Sequence, residues 1–126
     1  MSARAIAAAL LVLWSAWAGA EDWQRDRIAG GYVEADMDSA VKTSSGTRTV
    51  NFRFRWDPPR ALNDGRLYDA ADAMWELDCD GRRFRVIFSR TLYQGSEVSG
   101  QKRTSEWQKI GPKSLLLNKA CERSLP

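Results

Sequence analysis

The 126-residue sequence contains no histidine. This absence excludes hydrolases with a Ser-His-Asp triad, Cys-His nucleophile pairs, and zinc or haem centres that use histidine ligands. The groups that remain for chemistry are carboxylates, lysine, tyrosine and two cysteines. We therefore expect a protein that is not an enzyme and that holds no cofactor and no metal.

Long apolar runs are also missing, except at the N-terminus. Arg4 is followed by residues 5–17, which carry no charge, and by the small-residue sequence Ala18-Gly19-Ala20. This order of charge, apolar run and small residues predicts a signal peptide over residues 1–20 and one mature domain over residues 21–126. Because the apolar run is too short to span a bilayer, we expect a soluble protein that is exported through the Sec pathway and is periplasmic, on the outer surface or secreted.

The excess of one charge sign is small. The chain has 19 Lys+Arg and 16 Asp+Glu, and only Arg4 among them lies in the predicted signal peptide, so the mature balance is 18 minus 16, or +2. A net charge this low does not indicate a nucleic-acid partner.

Cysteine occurs twice, at Cys79 and Cys121. In an exported chain such a pair predicts a disulfide bond. Two free buried thiols are the alternative.

The clearest strand pattern covers residues 47–56, where apolar and polar residues alternate strictly. Val50, Phe52, Phe54 and Trp56 fall on one face, and Thr49, Asn51, Arg53 and Arg55 fall on the other. This period of two predicts a half-buried strand, which we expect to end at Asp57-Pro58-Pro59 because proline cannot donate to a ladder. Residues 57–73 are then expected to form a long loop.

Upstream, the sequence predicts short strands at residues 31–35 and 40–43, a turn at 36–39 between them, and a hairpin loop at Ser44-Ser45-Gly46.

Asp80-Gly81 is a preferred pair for a two-residue type I′ hairpin turn. Centred there, the register predicts that Leu77 faces Phe84, Glu76 faces Arg85 and Trp75 faces Val86, with Phe88 continuing the buried face. The strand is expected to run to about Tyr93, and a further strand is expected at residues 97–100. Beyond Pro112, with Ser114 as a candidate N-cap, the apolar spacing predicts a helix whose buried face carries Leu116, Leu117, Ala120 and Cys121.

Taken in order, these motifs resemble the surface-adhesin E family. The resemblance extends from about Trp23 to Cys121, and the residues that carry it are Trp23, Tyr32, Asp36-Met37-Asp38-Ser39, the aromatic strand Val50 to Trp56, Leu77-Asp78-Cys79, Arg82-Arg83-Phe84-Arg85, Tyr93, Gly95, Trp107-Gln108-Lys109-Ile110-Gly111-Pro112-Lys113-Ser114 and Cys121.

The resemblance implies an α+β, mainly β fold, with a single antiparallel sheet of about six strands, a C-terminal flanking helix and one disulfide. The member that gives the family its name binds host extracellular and plasma proteins and has been linked to haem. Without histidine, a histidine-ligated haem site is excluded here. No cysteine stands at the predicted cleavage site to carry a lipid anchor.

Four arginines, Arg53, Arg55, Arg83 and Arg85, share one face in this register and are the candidate ligand-binding surface for an acidic ligand or a sulfated polysaccharide. The alternative is that Glu76 and Asp78 already neutralise them across the hairpin.

Two further groups of residues offer weaker candidate sites. Trp23, Trp56, Trp75 and Trp107 fit core packing better than sugar stacking. Five carboxylates, on Asp69, Asp72, Glu76, Asp78 and Asp80, supply enough acids for a glycosidase pair, but turn and hairpin positions explain them more simply.

The sequence therefore favours an exported, non-enzymatic binding module. Its expected partner is a host extracellular protein or a sulfated polysaccharide, and the expected site is the 57–73 loop together with the exposed arginines. The alternative is a periplasmic structural or inhibitory protein that serves the producing cell.

Overall fold

The computed structural model describes residues 22–125. The predicted signal peptide lies outside this range. The elements along the chain are β1 (Trp23–Ile28), β2 (Gly31–Lys42), β3 (Arg48–Ala61), β4 (Leu67–Asp78), β5 (Arg83–Tyr93), β6 (Ser96–Gln101), β7 (Gln108–Lys109) and α1 (Leu115–Glu122).

The first six strands form one antiparallel sheet in chain order, from β1 at one edge to β6 at the other. Two strands pair with the edge of β5 that faces away from β4. β6 pairs with the C-terminal half of β5, and the two-residue β7 pairs with Arg83 and Phe84 near its start. The helix α1 then packs on one face of the sheet. The predicted mainly β fold, with a single antiparallel sheet and a C-terminal helix, is confirmed.

The hydrophobic core lies between α1 and the sheet. Leu116, Leu117 and Ala120 of the helix form one buried cluster with strand residues that include Val50 and Leu77, both 0% exposed. The remaining members of that cluster are Ala35, Met37, Phe52 and Ile110. We call the sheet face that carries this cluster the helix face and the opposite one the open face.

Besides core packing, a disulfide and an arginine of β3 connect α1 to the sheet. Cys79, just after β4, forms a disulfide with Cys121 of the helix, with 5.6 Å between the Cα atoms, as predicted. Arg48 at the start of β3 donates hydrogen bonds from Nη1 to the carbonyl oxygens of Ala120 and Arg123, at 2.8 and 2.7 Å. The last carbonyls of a helix lack partners within it, so Arg48 satisfies them from the sheet.

The predicted register of the β4–β5 hairpin is confirmed, with Leu77 opposite Phe84 and Glu76 opposite Arg85. The predicted turn type is wrong. A type I′ turn needs positive φ at both central residues, whereas the positive φ here, 55°, falls on Arg82. The turn therefore spans residues 79–82, and the register survives because a four-residue loop leaves the same pairs opposite each other.

The expected long loop at residues 57–73 is wrong. β3 continues to Ala61 and β4 begins at Leu67, so only residues 62–66 connect them. The ladder shifts register between Arg55, opposite Ala70, and Arg60, opposite Tyr68. Pro58 and Pro59 lie within this irregular stretch, where a missing backbone donor costs no ladder bond, and so they do not end the strand.

Strands β1 and β2 also differ from the expectation. The two short runs at 31–35 and 40–43 form one strand, β2, with a bulge between Asp36 and Val41. In this bulge the Ser39 hydroxyl donates to the Asp36 carbonyl at 2.6 Å and accepts from the Asn51 backbone N–H at 2.8 Å. The turn-forming residues thus build a bulge within a strand. Strand β1 is not predicted by the sequence pattern at all.

In the described part of the chain, α1 is the single helix, and its eight residues are too few to cross a membrane.

Candidate functional site

The open face is built from alternate residues of the long strands. Directly opposite residues of neighbouring strands share a face. Arg53 lies opposite Asp72 on β4, and Asp72 lies opposite Arg90 on β5. One row across the open face is therefore arginine, aspartate and arginine.

A bulge in β5 changes which residues reach this face. Trp75 lies opposite Val86 and Met74 lies opposite Phe88, so Ile87 is the extra residue. After this bulge, each residue of β5 therefore lies on the face opposite to the one that simple alternation predicts. Phe88 lies on the open face beside Met74, and the expectation that it continues the buried face is wrong.

These strands line an open groove of about 730 Å³, which we call the central groove. Its charged lining residues are Arg53, Arg55, Asp72 and Arg90. Its apolar lining includes Met74, Phe88 and Leu92, which we call the apolar floor. Arg90 is not predicted from the sequence, because apolar–polar alternation does not reveal the bulge that turns this residue to the same face as Arg53.

The three groove arginines differ in how strongly they are engaged. Arg90 makes two hydrogen bonds to Asp72 Oδ2, at 3.1 and 2.9 Å. Arg53 stacks over the Trp23 ring, with 3.5 Å to its centroid, and lies 4.0 Å from Glu34. Arg55 is exposed and forms no ion pair within residues 22–125. Three arginines against one aspartate leave the groove with a charge of +2.

Arg83 and Arg85 do not belong to this groove. Arg83 bonds Asp78 at 2.8 Å and Arg85 bonds Glu76 at 2.6 Å, and both guanidinium groups lie over Trp107, at 4.4 and 4.3 Å. Glu76 is four residues further along β4 than Asp72, so this cluster is displaced along the sheet from Arg53. The self-neutralised alternative of the sequence analysis therefore describes these two arginines.

The carboxylates of this second cluster are held in their charged form. Burial acts to raise the pKa of Glu76, but hydrogen bonds from Thr47 and Arg85 and the charge of Arg85 outweigh it, and the pKa is lowered. The pKa of Asp78 is lowered by the backbone N–H of Gly81 and by Arg83.

The family model of surface-adhesin protein E matches residues 23–122, from β1 to the end of α1. The chain belongs to the surface-adhesin protein E family. No curated protein and no solved structure gives a match. Membership indicates an adhesin-like role and an exported location, at the surface or secreted.

The tryptophans of this adhesin-family domain fall into two groups. Trp75 lies on the helix face, stacked on Phe52 at 4.5 Å and on Phe84 at 4.7 Å, and Trp56 meets Tyr68 edge to face at 5.3 Å. Trp23 and Trp107 lie on the open face against arginines. Of the four, Trp75 is the one that packs against the buried cluster, so the expected core packing is confirmed for Trp75 and wrong for Trp23 and Trp107, which lie on the opposite face.

The carboxylates suggested for a glycosidase pair are spread over both faces. Asp72, Glu76 and Asp78 each pair with an arginine on the open face. Asp69 accepts hydrogen bonds from the Gln94 backbone N–H at 3.3 and 3.4 Å. Within residues 22–125 no three metal-ligating side chains come together.

Proposed function

We propose that the protein is an exported, non-enzymatic binding module of the adhesin type, and that its central groove binds an acidic macromolecule. The observation that carries this proposal is the groove itself, where three arginines and one aspartate lie beside the apolar floor on the face that α1 leaves open. The relevant arginines are Arg53, Arg55 and Arg90, a set that replaces the four arginines expected from the sequence.

Charge and geometry support this site. A concave surface with an excess of one charge sign concentrates ligands of the opposite sign near it. Arginine offers a planar fork of donors that matches a carboxylate or a sulfate. Arg55 is exposed and has no ion pair to break among the described residues, so its guanidinium is available to a ligand.

Two matched double variants test the proposal. Arg53→Ser with Arg55→Ser removes two charges from the groove, and Arg83→Ser with Arg85→Ser removes two charges from the same face outside it. Attachment of the purified mature protein to immobilised extracellular-matrix proteins and to heparin would be measured, together with the thermal transition by circular dichroism.

We expect the groove variant to lose attachment with a nearly unchanged transition. The control variant should keep attachment but unfold at a lower temperature, because Glu76 and Asp78 lose their partners. Equal attachment by the groove variant and the native protein would overturn the proposal.

Location gives a second test. Protease added to intact cells should degrade the protein if it is displayed on the surface, and secreted protein should appear in the medium. Retention in the periplasm would overturn the adhesive role in favour of a structural or inhibitory one.

A further inference from the structure

The central groove presents three rows of side chains across the sheet, and the rows differ in chemistry. Met74 and Phe88 lie opposite each other and form the apolar part of one row, which continues to the polar Asn51 on β3. The next row is Arg53, Asp72 and Arg90, and the row after it holds Arg55, Ala70 and Leu92. Along the groove the order is thus mainly apolar, charged, and then mixed.

The apolar residues of the floor lie on the open face, away from the buried cluster beneath α1. Met74, Phe88 and Leu92 are half-buried, and none is a member of that cluster. Their side chains therefore offer apolar area to a partner that could bury it further.

We infer that the groove binds an extended acidic protein segment in which an apolar side chain is followed by acidic side chains at the second and fourth positions after it. This inference rests on the proposed function and narrows it to one class of partner.

The spacing of the rows supports an extended segment. Successive rows are two residues apart along each strand, or about 6.6 Å. In an extended peptide, side chains that point to the same side repeat at this same interval. An apolar side chain over Met74 and Phe88 would therefore place one acid near Arg53 and Arg90 and a second near Arg55.

The pattern of charges argues against a sulfated polysaccharide as the partner. Such a chain presents a dense series of anions, whereas Arg90 is shared with Asp72 and Arg53 lies beside Glu34. Of the other arginines on this face, Arg83 and Arg85 are paired with Asp78 and Glu76, and Arg25 is paired with Glu34. Arg27 on β1 shares the face but does not line the groove. A polysaccharide would also leave Met74 and Phe88 without an apolar side chain to cover them.

Fluorescence polarisation with defined probes tests the inference. The main probe is a labelled peptide with the central sequence Phe-Ser-Glu-Ser-Glu between Gly-Ser flanks. One control peptide replaces Phe by Ser, another replaces both Glu by Gln, and the third probe is a labelled heparin oligosaccharide. The proteins are the native chain, Phe88→Thr, Arg55→Ser, and Arg103→Ser, which removes an exposed arginine between β6 and β7.

We expect the Phe peptide to bind about tenfold more tightly than its Ser counterpart, as burial of one aromatic side chain would give. Phe88→Thr should remove that difference, while Arg55→Ser should weaken both peptides and Arg103→Ser neither. The difference between the peptides should persist at high salt, which screens charges but not apolar contacts. If Phe88→Thr fails to fold, Met74→Gln makes the same comparison with a side chain of similar length.

Two results would overturn the inference. If heparin binds at least as tightly as the Phe peptide, and its binding is lost in Arg55→Ser, the inference of a protein segment is overturned while the proposed function stays intact. If no probe binds, and Arg53→Ser with Arg55→Ser still attaches to matrix proteins, both proposals fail.

Discussion

Met74 on β4 lies directly opposite Phe88 on β5, although the neighbouring Trp75 lies opposite Val86. The extra residue, Ile87, turns the rest of β5 over. Phe84 and Phe88 are four residues apart and would share a face in a regular strand. Here Phe84 packs against the core and Phe88 lies in the central groove.

Substituting these two phenylalanines should therefore have very different effects on stability. Phe84 stacks on Trp75 at 4.7 Å, so Phe84→Thr should lower the free energy of unfolding by about 2–3 kcal/mol, which is below the usual range for a fully buried phenylalanine because this ring is half-buried. Phe88→Thr should cost less than about 1 kcal/mol, as is usual outside the core. Urea unfolding of both variants measures this, and equal losses would mean that the bulge does not reverse the strand.

Loss of the disulfide should strongly destabilise the domain. Cys79 and Cys121 are 42 residues apart in sequence, and the chain-entropy model gives about 4 kcal/mol for a loop of this size. Cys79→Ser with Cys121→Ser should lower the urea midpoint accordingly. Mass measurement after alkylation provides the check on the native protein, since both thiols should be blocked only after reduction. Free thiols without reductant would contradict the pairing.

The guanidinium of Arg48 should contribute to holding the helix. It donates to two carbonyl oxygens at the end of α1, and hydrogen bonds made by a charged group are worth about 1.5–3 kcal/mol. Arg48→Met keeps the apolar stem and should lower the free energy of unfolding by about that amount. Arg48→Lys keeps the charge but loses the donor Nη1, so the stability of this variant should fall between that of the native protein and that of the Met variant. A Met variant as stable as the native protein would show that these two hydrogen bonds add nothing to the stability of the helix end.

Acid should destabilise the protein partly through Glu76. Its pKa is lowered in the folded state, so the charged carboxylate adds stability above the unfolded pKa of about 4.3, and this stability is lost as the pH falls through the folded value. Glu76→Gln should therefore be less stable than the native chain at pH 7, and the difference should shrink on acidification toward pH 3. Thermal unfolding across this range is the measurement. Glu106→Gln, at an exposed glutamate, is the matched control, and a similar pH profile for both variants would contradict the role of Glu76.

The sequence determined the features that depend on local pattern. Strict alternation around Val50 and Phe52 specified a strand and its buried face. The hairpin register was specified by the match of facing residues, apolar with apolar as at Leu77 and Phe84, and acidic with basic. The loop before β3 was also predictable, since Gly46 adopts the left-handed conformation, with φ 85°, that glycine favours. The apolar spacing of Leu116, Leu117 and Ala120 specified the helix and its buried face.

Tertiary structure alone decided the remainder. The polar strand β1 shows no periodicity, and it becomes a strand because β2 offers it an edge. Pro58 and Pro59 fit within a long hairpin because the irregular stretch around them needs no ladder bonds. The groove also depends on tertiary structure. The sequence placed Arg53 and Arg55 on one face, but Arg90 joins them only because the bulge at Ile87 reverses which face the later residues of β5 occupy. Alternation is a local signal, whereas a bulge is set by how two strands pair, and this pairing brought the arginines and the apolar floor together.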